Sequence, residues 1–144
     1  METLNNIPQN FFDVAFSRWG LMYLQRPVRA LQATRRALAC GGLFVAAVWI
    51  NPDQASFFEL PRAALSRVMA VPPADHDLPG TFYYSDLDRL VRDLDAASFE
   101  LDQSETMEVD VIEVASDDEL IAWARAFGMS RMLQHASTEH QSAW

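Results

Sequence analysis

Few side chains in this sequence stand where they could do chemistry. His76 lies between two acids in the run Asp75-His76-Asp77 and could act as a general base that accepts a substrate proton. A loop histidine can equally be a solvated residue with no such role. Cys40 is the only cysteine and has no cysteine or histidine partner at metal-ligand spacing, so we predict no metal site and a packing role for Cys40.

Two apolar segments predict the strands that would position a site. Residues 12–16 form a short apolar run that leads into Ser17-Arg18-Trp19-Gly20, and residues 43–49 are almost continuously apolar, as in strands covered on both faces. Between them, the apolar face of residues 27–40 predicts a helix, and Gly41-Gly42 predicts its end. Strand, helix and strand together predict a parallel crossover unit.

The carboxyl ends of these two strands are the expected place for a ligand, because open parallel sheets bind ligands there. One end carries Ser17, Arg18 and Trp19, and the other carries Trp49. The alternative needs no ligand: Arg18 would be a solvated or helix-pairing charge, and the large apolar side chains nearby, including Met22, would belong to the core.

The middle of the chain has looser patterns. Residues 51–80 are typical of an insertion or lid, with a helix over residues 59–70. A periodic helix capped by Ser85 follows. Residues 99–114 have strand chemistry with alternating apolar and acidic side chains, so we predict two antiparallel strands there.

The last part of the chain predicts one more helix. Ser116 and Glu119 form a capping box in front of it. A chain of 144 residues with 50 % apolar residues can bury a core without disulfides. We predict a single domain over residues 1–135 and a flexible polar tail over residues 136–144.

Charge and apolar pattern disfavour several partners. The net charge is −9, which would repel a phosphate backbone, so we expect no nucleic acid partner. The sequence has no apolar run of about 18 residues, and its first residues lack the basic and apolar regions of a signal peptide. We therefore expect no membrane association and a cytoplasmic location.

One series of motifs resembles a known family. Residues 12–24 read FDVAFSRWGLMYL, and Arg35-Arg36, Gly41-Gly42 and the run from Val45 to Trp49 follow. The series resembles the fourth strand, following helix and fifth strand of class I S-adenosylmethionine-dependent methyltransferases, most closely the ubiquinone-biosynthesis-like and small-molecule type 11 group. Weaker similarity continues after Asn51.

The resemblance implies an α/β fold. The expected architecture is the carboxyl-terminal half of a Rossmann-like methyltransferase fold, in which the crossover unit is followed by the antiparallel strand pair and helices. The implied activity is transfer of a methyl group from S-adenosylmethionine to a small-molecule acceptor.

The resemblance also gives the candidate site residues their roles. Ser17 and Arg18 would lie beside the methionine portion of the cofactor or its reacting methyl group. Trp19, Met22 and Trp49 would lie on the substrate side.

One departure from the family limits the expected activity. The family's glycine-rich turn, ribose-binding acid and adenine-side aspartate lie upstream of the matching segment and are absent here. We therefore expect weak or no binding of S-adenosylmethionine by this chain alone, and no activity unless another segment or chain supplies the missing half.

The alternative is a truncated, non-catalytic domain that acts as an oligomerisation or binding module, for example as a homodimer. The strand at Phe12 would then expose an apolar edge. We expect that edge to pair with a second copy, to be covered by residues 1–9, or to make the chain poorly soluble.

Overall fold

A computed structural model of the protein describes residues 6–50, 56–67, 70–71 and 75–126, and the chain divides into two compact units. Unit 1 consists of Met1–Pro52 and Asp75–Glu105, and unit 2 consists of Asp53–Ala74 and Thr106–Trp144. The single domain over residues 1–135 stays a prediction. The predicted polar tail lies outside the described residues.

Unit 1 is built on the predicted strand, helix and strand. β1 spans Phe12–Arg18, α1 spans Pro27–Ala37 and β2 spans Leu38–Ala47. β1 and β2 pair in parallel, which confirms the crossover unit. A single turn of 3-10 helix, Leu21–Tyr23, follows β1.

α1 forms where the sequence predicts it because proline is favourable in a first helical turn and small apolar residues recur along one face. Ala30, Leu31 and Ala33 are buried, and two arginines stand in the last turn, where cations interact favourably with the helix dipole. The helix ends at Ala37, three residues before the predicted end. The chain turns into β2 at once.

The two glycines therefore have a different role from the predicted helix stop. Both lie inside β2, at a bulge that sets Phe12 opposite Leu38 but Val14 opposite Leu43. Gly41 has a φ of 75°, which favours glycine, and a Cβ on Gly42 would lie 3.0–3.2 Å from three backbone carbonyl oxygens. The prediction of a glycine stop was wrong because the bulge takes up the extra residues.

The core of unit 1 lies on one face of this two-stranded sheet. There Phe44 packs against Phe99, with ring centroids 5.4 Å apart, next to α1 and to α3, which spans Leu87–Ala96. Seven buried side chains form the core cluster: Leu21, Met22, Leu31, Tyr84, Leu90, Leu94 and Ala97. Burying one such leucine contributes about 1.5–3 kcal/mol relative to leaving it exposed.

The opposite face of the sheet is exposed, so the expectation of strands covered on both faces was wrong. Val14, Phe16, Leu43 and Val45 all stand on this face. An apolar run indicates that a strand can be buried on both sides, but it does not supply the element that would cover it.

α3 begins one residue later than predicted. Its cap is Asp86, whose carboxylate accepts a hydrogen bond from the Asp88 amide at 2.9 Å. The predicted cap, Ser85, instead places its hydroxyl 3.2 Å from Nδ1 of His76.

The predicted antiparallel strand pair is absent, and that part of the predicted fold class was wrong. Residues 99–114, all within the described part of the chain, form no strand. Met107, Val109 and Val111 are exposed, so the alternating pattern finds no core to cover. Alternation stabilises a strand only where one face is buried and a neighbouring strand accepts its backbone hydrogen bonds.

Unit 2 contains two helices, α2 at Ser56–Ser66 and α4 at Asp117–Ala126. The ring of Phe57 in α2 lies 4.5 Å from that of Trp123 in α4. The two residues of the predicted capping box cap α4, with one difference in partner: Ser116 Oγ accepts from the Glu119 amide at 3.3 Å, and the Glu119 carboxylate accepts from the Ala115 amide at 2.7 Å instead of the Ser116 amide. The role of residues 51–80 as an insertion or lid stays a prediction.

Candidate functional site

β1 and β2 have their carboxyl ends at the same level of the sheet. Ser17 lies opposite Ala46 and Arg18 opposite Ala47, and the Trp19 amide continues the ladder by donating to the Ala47 carbonyl at 2.9 Å. Parallel pairing in this register brings the residues that follow both strands to one edge of unit 1. We call this edge, with Ser17, Arg18, Trp19 and Trp49, the carboxyl edge.

Two tryptophans form an aromatic stack at the carboxyl edge. The rings of Trp19 and Trp49 lie 5.0 Å apart with an interplanar angle of 18°, and both are half-buried against the core. The guanidinium of Arg18 lies 5.0 Å from the centre of the Trp19 ring. The edge therefore joins a cation to a flat apolar surface, which suits planar or partly apolar ligands.

The backbone of Trp19 is strained. Its φ is 58°, in the left-handed region that a bulky residue rarely adopts. Such conformations cost about 1–3 kcal/mol each and gather at binding and catalytic sites. The hydrogen bond to Ala47 and the stack on Trp49 offset this cost, and together they fix the direction of the Trp19 side chain.

Ser17 faces the covered side of the sheet. Its side chain is half-buried, and a Cβ on Gly20 would lie 3.3 Å from Ser17 Oγ. The absence of a side chain at Gly20 thus leaves room beside this hydroxyl. Arg18, the next residue, points to the other side and is exposed.

Met22 does not join these residues at the surface. Its side chain is completely buried in the core cluster with Leu31 and Tyr84. The core alternative that the sequence left open therefore accounts for Met22 without a ligand.

His76 lies in a loop that unit 1 holds in place. Its Nδ1 pairs with Ser85 Oγ at 3.2 Å, and its ring stacks near Phe82 at 6.0 Å. Arg89 of α3 donates to the His76 carbonyl at 2.5 Å and to the Tyr83 carbonyl at 3.0 Å. A loop histidine thus has a defined position, which the sequence alone did not indicate.

Arg89 also pairs with the carboxylate of Asp77 and lies 4.8 Å above the Tyr83 ring. Its hydrogen bond to Asp77 raises the pKa of Arg89, so the guanidinium stays charged throughout the useful pH range. Sequence analysis missed this residue because an arginine on a helix is usually a solvated charge.

The loop is tied to the turn that follows β1. The Gly80 amide donates to the Met22 carbonyl at 2.9 Å, and the hydroxyls of Tyr23 and Thr81 lie 2.9 Å apart. The part of the loop that follows His76 therefore contacts the 3-10 turn, which comes directly after the carboxyl edge in sequence.

The described residues fit only part of S-adenosylmethionine. The aromatic stack suits a sulfonium, and the guanidinium of Arg18 and the hydroxyl of Ser17 suit the carboxylate of a methionine portion. Neither β1 nor β2, the two strands in the described ranges, is followed by a glycine-rich turn and an α-helix that could hold a nucleotide. The nucleotide portion thus has no visible site in this part of the chain.

Metal chemistry finds no support among the residues that the structure describes, where no group of three or more His, Cys, Asp or Glu side chains could hold an ion. Cys40 is exposed, so the expectation of a packing role was wrong. In the same described ranges, no helix is long and apolar enough to cross a membrane.

The crossover unit is also the part of the chain that a family model matches. Residues 1–46 match the model of a methyltransferase domain family. The match covers β1, α1 and all but the last residue of β2. It supports a methyltransferase-like protein with an α/β fold, and the matched family generally uses S-adenosylmethionine. No curated protein and no solved structure matches the chain.

Proposed function

We propose that this chain forms the acceptor side of a small-molecule methyltransferase of the ubiquinone-biosynthesis-like group. The nucleotide-binding half would come from a preceding segment or from another chain. The observation that carries the proposal is the coincidence of the methyltransferase match with a parallel crossover unit whose carboxyl edge presents Arg18 and the stacked pair Trp19 and Trp49.

S-adenosylmethionine, when bound, supplies an electrophilic methyl group. The chain's own residues then have mainly to orient the acceptor towards this methyl group and to exclude water. Ser17 and Arg18 are the proposed contacts to the methionine portion, and the two tryptophans are the proposed apolar wall for the acceptor. Met22 supports this wall from within the core.

His76 is the candidate for moving a proton. In the tautomer whose Nδ1–H donates to Ser85 Oγ, Nε2 is the nitrogen that would accept the proton of an acceptor hydroxyl or amine. Arg89 fixes the loop backbone at His76, and the Ser85 hydroxyl and the Phe82 ring contact the imidazole itself. This role needs an acceptor that has a proton to lose.

The nucleotide sequence directly upstream of the Met1 codon tests the proposal first. Read in frame, it should encode an apolar strand and a glycine-rich turn, and expression of the longer chain should transfer tritiated methyl groups from S-adenosylmethionine to a small acceptor. In that longer chain, Trp19→Ala should lower transfer about 10- to 100-fold. Leu87→Ala, at an exposed helix position of unit 1, should leave it unchanged.

An upstream sequence without such a turn, combined with no transfer in any mixture with a separate nucleotide-binding chain, would leave the non-catalytic alternative. That alternative has one observation in its favour, the exposed apolar face of the two-stranded sheet. A truncated methyltransferase-like domain could use this face for binding.

A further inference from the structure

The sheet of unit 1 has one covered face and one open face. Five side chains form what we call the open face: Phe12, Val14 and Phe16 of β1, and Leu43 and Val45 of β2. They are adjacent, because Val14 pairs with Leu43 and Phe16 with Val45 in the register of the two strands. The core packs only against the other face, through Phe44.

The open face is a large, contiguous apolar patch. Exposed fractions are 72 % for Phe16, 58 % for Leu43, 55 % for Val14, 54 % for Val45 and 40 % for Phe12. Together they present on the order of 500 Å² of apolar surface in one patch, at the upper end for a monomer. Scattered exposed apolar residues need no explanation, whereas a contiguous patch on a sheet does.

The shape of this surface argues against a small molecule as its occupant. Small-molecule sites are concave and combine an apolar lining with a few polar groups. The open face is one side of a two-stranded sheet, and its five side chains carry no hydrogen-bonding atom. Such a face fits another apolar sheet face, since two sheets pack at a separation of about 10 Å.

We propose that the open face binds the open face of a second copy of this chain. Two copies would remove roughly 1,000 Å² of surface from water, about the least that a specific interface requires and consistent with a dimer of micromolar affinity. A sheet of only two strands is marginal by itself, and pairing of two such sheets through their apolar faces gives each a second covered side.

Charge permits this arrangement despite the net charge of −9. The five residues of the open face include no acid, and the only nearby charge on that side of β1 is Arg18 at its carboxyl end. With the strands of the two copies antiparallel across a twofold axis, the two Arg18 side chains lie at opposite ends of the interface. Closed twofold dimers of this kind are the commonest homo-oligomers.

This inference does not depend on the proposed function. The sequence predicted association at the uncovered edge of the Phe12 strand, which stays a prediction, and the exposed apolar surface described here lies on the adjoining face of the sheet.

Sedimentation velocity over about 1–300 µM protein tests the proposal, since this range spans micromolar affinity. The wild-type chain should change from monomer to dimer across the range. Phe16→Glu and Val45→Thr should each weaken association at least tenfold. Leu87→Glu is the matched control, because it adds the same charge at an exposed apolar position of unit 1 outside the open face, and it should associate like the wild type.

Cross-linking provides a second readout that does not need a folded Phe16→Glu variant. In a Cys40→Ser background, Leu43→Cys, near the centre of the open face, should be joined to its copy by a bis-maleimide that spans the roughly 10 Å between packed sheets, and Leu87→Cys should not. A chain that stays monomeric throughout the range would overturn the proposal. A dimer that survives both open-face substitutions, or that Leu87→Glu weakens equally, would do so as well.

Discussion

Gly42 determines how closely the two strands of unit 1 approach each other. A Cβ at this position would lie 3.0 Å from the Ala39 carbonyl oxygen and 3.1 Å from that of Phe12. Both neighbours are backbone atoms, so relief requires the strands to move apart. The bulge, and with it the register that aligns the carboxyl edge, depends on this one residue.

We therefore expect Gly42→Ala to lower the free energy of unfolding by about 1–3 kcal/mol, as overpacking of a close contact does. Gly80→Ala is the control, because a Cβ there meets its nearest atom at an ordinary 3.7 Å and should change stability by less than about 1 kcal/mol. Urea unfolding followed by circular dichroism measures both. Equal effects of the two substitutions would show that the bulge does not need glycine.

Among the residues that the structure describes, Tyr84 is the largest completely buried side chain, and its hydroxyl donates to Asp93 Oδ2 at 2.8 Å. Burial, followed by this hydrogen bond and the negative charge of Asp93, raises the pKa of Tyr84 well above its ordinary value. The folded state therefore keeps the phenol proton at a pH where the unfolded state loses it. The resulting stability is complete below about pH 10 and falls as the pH rises further.

We expect Tyr84→Phe to lower the free energy of unfolding at pH 7 by about 1–2 kcal/mol through loss of the hydrogen bond. Above about pH 10 the wild type should lose stability more steeply than the variant, so the two curves should converge. Unfolding curves collected from pH 7 to about pH 11 provide the measurement. Parallel curves over that range would contradict a buried phenol.

At the residue scale, the sequence predicted which residues end the two strands but not the contacts between those residues. The positions of Ser17, Arg18 and Trp19 follow from the rule that parallel strands end at one edge. The strained φ of Trp19 and its stack on Trp49, thirty residues later in sequence, depend on the register of β1 and β2. Register arises from the bulge, which no local pattern reveals.

Among the structural elements, the loop from Asp75 to Tyr84 owes its position to α3. Arg89 makes two hydrogen bonds to loop carbonyls and one ion pair with Asp77. The side chain of Asp77 is largely exposed, so the ion pair contributes little and the backbone contacts matter more. The planar fork of arginine can reach all three partners, whereas a lysine ammonium cannot.

Arg89→Lys should therefore loosen this loop without unfolding the core. We expect amide exchange of Leu78 and Gly80, measured by NMR, to become about tenfold faster or more, which corresponds to about 1.4 kcal/mol of lost protection. Arg92→Lys is the control, since Arg92 is exposed and makes one ion pair at 3.5 Å with Asp86. Unchanged exchange in Arg89→Lys would show that the loop is held by its contacts to the 3-10 turn alone.

The elements predicted correctly are those with a local cause. α1 has proline in its first turn and a continuous apolar face, and α4 has its capping box, so both begin where the sequence indicates. The failure at residues 99–114 has a non-local cause. Strand formation there requires a neighbouring strand and a covering layer, and the alternating pattern contains no information about either.

For the whole molecule, the sequence predicted a methyltransferase-like α/β protein, and the family match to residues 1–46 supports that statement. It predicted a covered sheet, and the structure has an open apolar face instead. Both outcomes have the same cause. The two strands have the apolar composition of strands in a larger sheet that is covered on both faces, whereas the described residues cover only one face of this sheet.

The central claim is that the carboxyl edge is part of a methyltransferase site and that the described chain lacks the nucleotide-binding half of that site. An NMR titration of the labelled chain with S-adenosylmethionine tests this claim most directly. S-methylmethionine and adenosine serve as probes for the two ends of the cofactor. We expect S-adenosylmethionine and S-methylmethionine to shift the backbone amides of residues 17–20 and the indole N–H groups of Trp19 and Trp49. These shifts should not saturate below about 1 mM, and adenosine should cause none. Saturation at micromolar S-adenosylmethionine, or shifts confined to residues away from the carboxyl edge, would contradict it.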